Sequence, residues 1–180
     1  VQIADNGDEA IIVTGDRDIY QMVKDPLIKV LYNKRGVSDY ALYDEAGIVE
    51  RTGVTPELYP QYAALRGDPS DNLPGVPGVG EKTAAKLINA YGGLDGIFDH
   101  ADEQTPKLRQ NLIEFEERAR RNVDAMVLRT DAPVDLDLAS VRWGTINASD
   151  VRELFEELEF NSLYERLGEL VGGDLPSMAS

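Results

Sequence analysis

Short apolar runs alternate with turn residues over the first quarter of the chain. Three such runs, at residues 9–14, 28–32 and 39–43, are rich enough in β-branched and aromatic residues to predict strands. The first run ends at Gly15, which is typical of a buried parallel strand that delivers a loop from its carboxyl end. A turn at 33–36 is predicted to join the other two strands. We therefore expect an α/β fold with a partial parallel or mixed sheet in this region.

Helical periodicity dominates the chain after residue 43. Five helices are predicted over its central part, at 44–52, 55–66, 81–91, 94–100 and 106–128. Thr55 is the predicted N-cap of the second helix, with Pro56 at its first position. The last helix is predicted to be amphipathic, because its apolar residues recur on one face: Leu108, Leu112, Phe115, Ala119, Val123 and Met126.

Both ends of the chain carry weaker signals. The first seven residues resemble the last turns of a helix that ends at Gly7. Residues 131–138 are predicted to form an acidic extended link, and Ser149 to cap one or two closing helices at 151–170. A sheet with one strongly apolar strand is small for a complete α/β domain. We therefore expect this chain to be the C-terminal part of a larger domain.

Composition narrows the class of protein. A chain of 180 residues that is 42% hydrophobic can bury a core, and the absence of cysteine excludes disulfides and thiolate metal sites. No apolar run approaches the roughly 18 residues of a membrane span, and the first residues lack the pattern of a signal peptide. We expect a cytoplasmic protein with no membrane partner.

The net charge of -15 argues against tight binding of nucleic acid by the chain alone, since Lys and Arg supply most non-specific affinity for phosphates. More than half of this charge lies in residues 131–180. A bound divalent cation would offset part of the remainder.

Four aspartates are candidates for metal ligation. Asp68 and Asp71 lie in a segment with Gly67 and several prolines, which leaves the carboxylates little conformational freedom to lose. Asp16 and Asp18 follow the first predicted strand, at the end where α/β sheets bind ligands. Hard oxygen ligands suit Mg²⁺ or Mn²⁺. The alternative for each aspartate is an ordinary turn, in which its side chain accepts backbone N–H bonds.

A glycine-rich turn follows these aspartates. Gly75, Gly78 and Gly80 would let the backbone approach a ligand closely, and the helix from Glu81 would point its first N–H groups at an anionic oxygen. The alternative is a capped surface helix with a solvated Lys82. The turn is not a P-loop, because Glu81 separates Gly80 from Lys82.

Two long motifs carry a family resemblance. Residues 67–84 (GDPSDNLPGVPGVGEKTA) resemble the helix-three-turn-helix signature of the 5′-nuclease (flap endonuclease) superfamily, and residues 14–23 (TGDRDIYQMV) resemble a second motif of that superfamily. The likeness is strongest to the 5′→3′ exonuclease domains fused to bacterial DNA polymerase I, and it extends from about Ile11 to Gly168. It implies that residues 1–54 are the end of an α/β nuclease core, 55–173 the helix-three-turn-helix and helical region of the same domain, and 174–180 a linker.

The resemblance also implies roles for individual residues. Asp16, Asp18 and Asp71 correspond to ligands of the more distal of two Mg²⁺ or Mn²⁺ ions, and Asp68 lies close by, often acting through water. The resemblance assigns the binding of duplex DNA to a set of residues in and after the glycine turn: Gly75, Val76, Gly78, Val79, Gly80, Lys82 and Thr83. In the superfamily, carbonyl oxygens of this turn are also able to hold a K⁺ ion.

The implied activity is metal-dependent 5′→3′ exonuclease and 5′-flap endonuclease cleavage of DNA in primer removal and repair. We expect this chain alone to be a nearly inactive monomer, because the superfamily carries further acidic residues and a basic arch upstream of the matching segment. The main alternative is a non-catalytic duplex-DNA-binding module, and a third is a Mg²⁺-dependent hydrolase of small phosphates. Whether the parent protein continues into a polymerase stays open.

Several other residues have simpler predictions. Two alternatives stay open for Arg17: a contact with phosphate, or an ion pair with the neighbouring carboxylates. The lone histidine, His100, is expected in a loop. Packing roles are predicted for four aromatic residues, Tyr20, Tyr59, Tyr62 and Trp143.

Overall fold

The computed structural model describes residues 2–35, 38–134, 137–139 and 147–171. The chain forms two compact units, Val1–Ala132 and Pro133–Ser180. The first unit therefore includes residues on both sides of position 54/55, where the resemblance implies a boundary between two regions of one nuclease domain. The predicted linker at 174–180 and Trp143 lie outside the described residues.

A three-stranded mixed sheet follows the short helix α1 (Gln2–Asp5) in the first unit. Its strands lie in the order β1 (Ala10–Thr14), β2 (Ile28–Arg35) and β3 (Asp39–Tyr43). The first pair is parallel and the second antiparallel, which confirms the predicted mixed sheet. The predicted turn at 33–36 is wrong at its start, because pairing with β3 keeps β2 extended through Arg35.

The sheet of the first unit is buried on one face only. Val30 is fully buried on the inner face, whereas Ile11 and Val13 of β1 are 59% and 72% exposed. Successive side chains of a strand point to opposite faces. The expectation of a fully buried β1 is therefore wrong for its outer face, because the described helices of this unit pack on the other side.

Five helices complete the first unit: α2 (Glu45–Thr52), α3 (Tyr59–Arg66), α4 (Glu81–Tyr91), α5 (Leu94–Asp99) and α6 (Pro106–Met126). Between α3 and α4 the chain forms a small antiparallel ribbon of β4 (Gly67–Asp68) and β5 (Leu73–Pro74). All five helices were predicted to within a few residues of their bounds. The mainly helical second half of the predicted fold is thus confirmed.

The helix ends follow from local chemistry. Asp44 caps α2, since its Oδ1 accepts a 2.8 Å hydrogen bond from the Gly47 amide. The predicted helix at 55–66 begins instead with a 3-10 turn at Pro56–Leu58, and Thr55 makes no side-chain cap. Pro60 has no N–H to donate to the Pro56 carbonyl, so the Tyr59 amide donates to it and closes the tighter turn.

The second unit contains α7 (Ala148–Glu157) and α8 (Asn161–Val171). Asn147, rather than the predicted Ser149, caps α7, and its side chain accepts a 3.0 Å hydrogen bond from the Ser149 amide. Asn and Ser are equally good N-caps, so composition alone did not distinguish them. Phe155 packs edge-on against Phe160 and Tyr164, with ring centroids 5.9 and 6.2 Å away.

Helix α3 lies at the centre of the first unit, where it contacts α4 and α6 and buries six of its eight residues. Beside it, the Tyr20 ring lies 5.4 Å from the rings of both Tyr32 and Tyr59. The packing roles predicted for Tyr20, Tyr59 and Tyr62 are confirmed. None of the helices within the described ranges has the length and apolar composition to span a membrane.

Candidate functional site

A cavity of about 780 Å³ opens where the end of β1 meets the β4 segment and the start of α4. Three of the four candidate aspartates, Asp16, Asp68 and Asp71, line it. Asp18 does not line the cavity, although its charge interacts with all three. The remaining charged lining residues are Glu81, Arg17 and Arg66. The fold therefore brings together carboxylates that are about 50 residues apart in sequence.

The loop after β1 is held by side-chain bonds to the backbone. Thr14 Oγ1 accepts from the Asp16 amide at 3.0 Å, and Asp16 Oδ1 accepts from the Asp18 amide at 2.9 Å. Gln21 Nε2 donates to the Asp18 carbonyl at 2.8 Å and to the Met126 carbonyl at 2.9 Å, which fastens the loop to the end of α6. Asp16 thus accepts the backbone N–H bond of an ordinary turn, which was the alternative to metal ligation in the sequence analysis. Its other carboxylate oxygen, Oδ2, makes no bond within that turn.

Asp68 is a buried carboxylate with both oxygens engaged. Its Oδ1 accepts from the Ser70 amide at 2.9 Å and from the Ser70 hydroxyl, and its Oδ2 accepts from Arg66 Nη2 at 3.1 Å. Burial alone would raise the pKa of Asp68, but the Ser70 hydrogen bonds and the Arg66 charge outweigh it and lower that pKa. Asp68 is therefore a fixed anion, whereas Asp71 is exposed.

Arg66 and Glu81 belong to this site but were missed from the sequence. Arg66 bridges Asp68 and Glu81, with Nη1 3.4 Å from Glu81 Oε1, and its guanidinium lies over the Tyr62 ring. The sequence signal was slight, because a lone arginine at a helix end is common. Only the return of the chain to α4 gives it two acidic partners.

The carboxyl group of Asp18 shows how closely the four aspartates interact. Burial, followed by repulsion from Asp16, Asp71 and Asp68, raises the pKa of Asp18 to about 6. Arg66 opposes this rise but does not cancel it. The four aspartates therefore share one electrostatic environment.

The aspartates suit a divalent cation in chemistry, although they do not form a closed cage. Within the ranges that the structure describes, no three or more His, Cys, Asp or Glu side chains are grouped so as to hold a metal ion. Carboxylate oxygens are nevertheless the ligands that Mg²⁺ and Mn²⁺ prefer. A cation would also relieve the repulsion around Asp18.

Replacing Asp18 by asparagine is expected to stabilise the metal-free protein at neutral pH. Because the pKa of Asp18 is raised on folding from 3.8 to about 6, its ionisation lowers the free energy of unfolding progressively as pH rises from about 4 to 6. Asp18→Asn removes this penalty and should add about 1 kcal/mol at pH 7.5, after allowance for solvent screening.

Denaturant unfolding in EDTA at pH 4 and pH 7.5 measures this effect. The gain should shrink towards zero as pH falls through 6 to 4, where the wild-type carboxyl is protonated on folding. Asp124→Asn, at an exposed position of α6, is the matched control. An equal gain at both pH values, or a loss at pH 7.5, would contradict the assignment.

Two glycines lie close together at one end of the β4–β5 ribbon, Gly67 in β4 and Gly75 directly after β5. A Cβ on Gly67 would lie 2.3 Å from the Gly75 amide nitrogen, and a Cβ on Gly75 would lie 2.3 Å from the Arg66 carbonyl carbon. Gly67 also has a φ of 81°, in the left-handed region. Sequence reasoning assigned Gly75 to the approach of a ligand. In the structure Gly75 approaches the chain's own backbone closely, and its contact with DNA stays a prediction.

Val76 and Val79 lie inside the glycine turn. Both side chains are buried in the core. The Val76 amide donates to the Leu65 carbonyl at 2.9 Å, and the Val79 amide donates to the Val76 carbonyl at 3.0 Å. These two residues therefore shape the turn from inside, and their predicted part in DNA binding stays a prediction.

The outer part of the turn is open to solvent. Gly78, Gly80 and Lys82 are exposed, Thr83 is half-buried, and no atom lies within 4 Å of a Cβ placed at Gly80. Helix α4 begins after Gly80 without a side-chain cap. Its first N–H groups can thus donate to an external acceptor, as the phosphate-binding prediction requires.

Two buried asparagines of α6 hold the glycine turn and were not predicted. Asn111 Nδ2 donates to the Pro77 carbonyl at 2.7 Å, and Asn122 Nδ2 donates to the Pro74 carbonyl at 3.0 Å. Both side chains are buried. The signal was their spacing of about three helical turns, which places polar residues beside the apolar face of α6.

The structure shows which neighbouring groups Arg17 and His100 contact. Arg17 hydrogen-bonds to Tyr32 and lines the acidic cavity, so it has a partner that neither sequence alternative included. His100 ends α5, where its Nδ1 lies 2.8 Å from the Gly96 carbonyl and its ring stacks on Tyr91. His100 is outside the acidic cavity.

Known proteins resemble the chain in both sequence and fold. DNA polymerase I of Mycobacterium tuberculosis is 42% identical over 166 residues, which are 92% of this chain and 18% of that protein. DNA polymerase I of Bacillus subtilis is 36% identical over 165 residues, which are 91% of this chain and 19% of that protein. The chain thus spans less than a fifth of the length of these relatives.

Two solved structures share the fold. T5 5′-exonuclease with bound zinc ions matches with a TM-score of 0.61 and 25% identity, over 69% of this chain and 45% of that one. The catalytic core of Rad2 in complex with DNA substrate matches with a TM-score of 0.53 and 20% identity, over 81% of this chain and 50% of that one. The family described as 5′-3′ exonuclease, C-terminal SAM fold, matches residues 54–149, more than half of the chain. The chain therefore belongs to the 5′-3′ exonuclease family with the C-terminal SAM fold.

Proposed function

We propose that this chain is the C-terminal part of a metal-dependent 5′→3′ exonuclease and 5′-flap endonuclease that acts on DNA. One observation supports this most. Glu81, the first residue of α4, lines the same cavity as Asp16, Asp68 and Asp71, so a group of carboxylates adjoins an uncapped helix start. Metal ligands and a phosphate-binding turn side by side are what phosphodiester hydrolysis on a nucleic acid strand requires.

Each acidic residue has a distinct part in this proposal. Asp16, Asp18 and Asp71 would hold a Mg²⁺ or Mn²⁺ ion, which when bound activates water and stabilises charge on the scissile phosphate. Asp68, already fixed by Ser70 and Arg66, would orient the ion's water ligands. The divalent metals bound by T5 5′-exonuclease support a divalent ion here.

The glycine turn would bind the duplex away from the metals. Lys82 and the first amides of α4 donate to backbone phosphates, which fixes the strand without reading its sequence. Carbonyl oxygens of the turn would offer a site for K⁺. The relatives' name, DNA polymerase I, supports a setting in DNA synthesis. The proposal adds that the protein is a cytoplasmic monomer whose substrate, in replication and repair, is duplex DNA with a 5′ end or flap.

A non-catalytic duplex-DNA-binding module is the second candidate. It is favoured by the lack of a closed cage among the described acidic side chains and by the turn bond that occupies Asp16. Titration with Mg²⁺ separates the two candidates. The nuclease requires that Mg²⁺ raise the unfolding temperature through the aspartates, whereas a module binds DNA equally well with metal or chelator and gains nothing from the ion.

Lys82→Ala tests the phosphate-binding turn separately from the metals. Because Lys82 is exposed beside the uncapped helix start, its loss should weaken binding about equally across DNA sequences. The slope of log affinity against log salt should flatten by roughly one unit, the amount expected for one phosphate contact. Fluorescence anisotropy with two unrelated duplexes, in EDTA from low salt upwards, measures both quantities.

Lys34→Ala, an exposed change on β2, is the control for lost charge. Gly78→Val should weaken binding further, since Gly78 is exposed and has a φ of 81° that a β-branched residue resists. If the folded Lys82→Ala protein bound both duplexes with unchanged affinity and slope, the turn would be no more than a helix start.

A further inference from the structure

The tip of the glycine turn is a tight turn of four residues, Val76–Val79. The Val79 amide donates to the Val76 carbonyl at 3.0 Å, and both valine side chains are buried. The two central residues, Pro77 and Gly78, are exposed. Proline at the second position and a φ of 81° at the third are typical of a type II turn. Two anchored ends thus present the central peptide to solvent.

The central peptide of such a turn can adopt two orientations. Type I and type II turns have nearly the same outer dihedral angles, and they differ in the central peptide, which is turned over in one relative to the other. The Pro77–Gly78 bond is trans, so its C=O and N–H groups point in opposite directions. The turn type therefore decides whether the Pro77 carbonyl or the Gly78 N–H faces outward.

Asn111 of α6 holds this peptide in one orientation. Its side chain is buried, and its Nδ2 donates to the Pro77 carbonyl at 2.7 Å. The carbonyl oxygen is therefore directed towards α6, and the Gly78 N–H on the opposite side of the same peptide points away from α6. Within the described part of the chain, no group accepts a hydrogen bond from the Gly78 amide. That N–H is thus available to an external acceptor.

A simpler role for Asn111 is that of an ordinary buried polar residue whose own amide group is satisfied. The acceptor that it binds indicates a further role. Pro77 is exposed, so water could serve its carbonyl in either orientation of the peptide. The bond to a buried side chain selects one orientation instead. Glycine at position 78 permits the positive φ that this orientation needs.

We propose that Asn111 is a positioning residue for nucleic acid binding. By holding the Pro77 carbonyl inward, it keeps the Gly78 N–H directed outward as a donor to a strand phosphate, an acceptor that rests on the function proposed above. Loss of the Asn111 amide lets the peptide turn over. A carbonyl oxygen, which repels a phosphate, then takes the place of the N–H donor. Asn111 acts through the backbone, and Gly78 makes the contact.

A double-mutant cycle between Asn111 and Gly78 tests the orientation without nucleic acid. Gly78→Ala should lower the unfolding temperature of the wild type by roughly 2–8 °C, because alanine resists a φ of 81°. The added methyl would lie 3.8 Å from Asn111 Nδ2, an ordinary contact, so this loss comes from the backbone. In Asn111→Leu the same change should cost less than half as much, because the peptide can adopt the type I form, in which alanine is unstrained. Losses that simply add would overturn the proposal.

Asn89 supplies the matched control for this cycle. Its Nδ2 donates to the Gly53 carbonyl at 2.7 Å, a bond of the same kind and length outside the turn. Asn89→Leu should therefore leave the loss caused by Gly78→Ala at its wild-type value. Asn111→Ala removes the same donor without filling the space, and it replaces Asn111→Leu in the cycle if leucine prevents folding.

Binding of duplex DNA in EDTA tests the acceptor. Asn111→Leu should weaken binding by roughly tenfold, as expected for one hydrogen bond to a charged group, while Asn89→Leu binds as the wild type does. The slope of log affinity against log salt should not change, because no charge is lost, in contrast to Lys82→Ala. Coupling between Asn111 and Gly78 with unchanged DNA affinity would overturn the phosphate contact. A wild type that fails to bind duplex DNA would overturn the proposed function instead, and the result on the orientation of the peptide would stand independently.

Discussion

Asp71→Asn in the complete nuclease domain is expected to lower flap cleavage by roughly two to four orders of magnitude, with DNA affinity within about twofold of wild type. A metal ion stabilises transition-state charge by several kcal/mol, more than it aids substrate binding. Asp71 is the cleanest position for this test. It lines the acidic cavity, is exposed, and makes no side-chain hydrogen bond or ion pair with a described residue, so its replacement costs little stability.

Single-turnover cleavage of a labelled flap across a Mg²⁺ or Mn²⁺ titration measures the effect, and binding in chelator supplies the affinity. The complete domain is needed because the resemblance places further carboxylates upstream. Asp16→Ala and Asp18→Ala should show the same separation, and Asp124→Asn should leave both quantities unchanged. Turnover and affinity that fell together, with unaltered metal dependence, would make the aspartates structural.

Gly75→Ala is expected to destabilise the protein by about 3 kcal/mol or more, at or above the upper end for overpacking. The new Cβ would lie 2.3 Å from the Arg66 carbonyl carbon, and backbone on both sides leaves no flexible side chain to move away. Since the same ribbon holds Asp68 and leads into the glycine turn, metal and DNA binding should weaken together. Denaturant unfolding measures the change.

Gly80→Ala is the matched control for that prediction. Gly80 has a φ of -96° and nothing within 4 Å of an added Cβ, so alanine there should cost no more than about 1 kcal/mol, the loss expected at an N-cap position. Equal effects of the two substitutions would show that the ribbon tolerates a side chain and that its geometry is not the reason for Gly75.

The sequence determined the elements of this fold because their signals are local. A strand or a helix is favoured by periodicity over a few residues. Motif order likewise identified the four aspartates, the glycine turn and the family. One local prediction was wrong because a second local rule prevailed, when Pro60 converted the start of a predicted helix into a 3-10 turn.

The tertiary structure decided what each candidate contacts, because contacts between distant segments have no local signal. It pairs Arg66 with Glu81, packs Gly75 against the chain's own backbone, and buries the side chains of Val76 and Val79. It also brings Asn111 and Asn122 of α6 under the turn. Burial sets the charge and availability of each group, and burial exists only once the chain has folded.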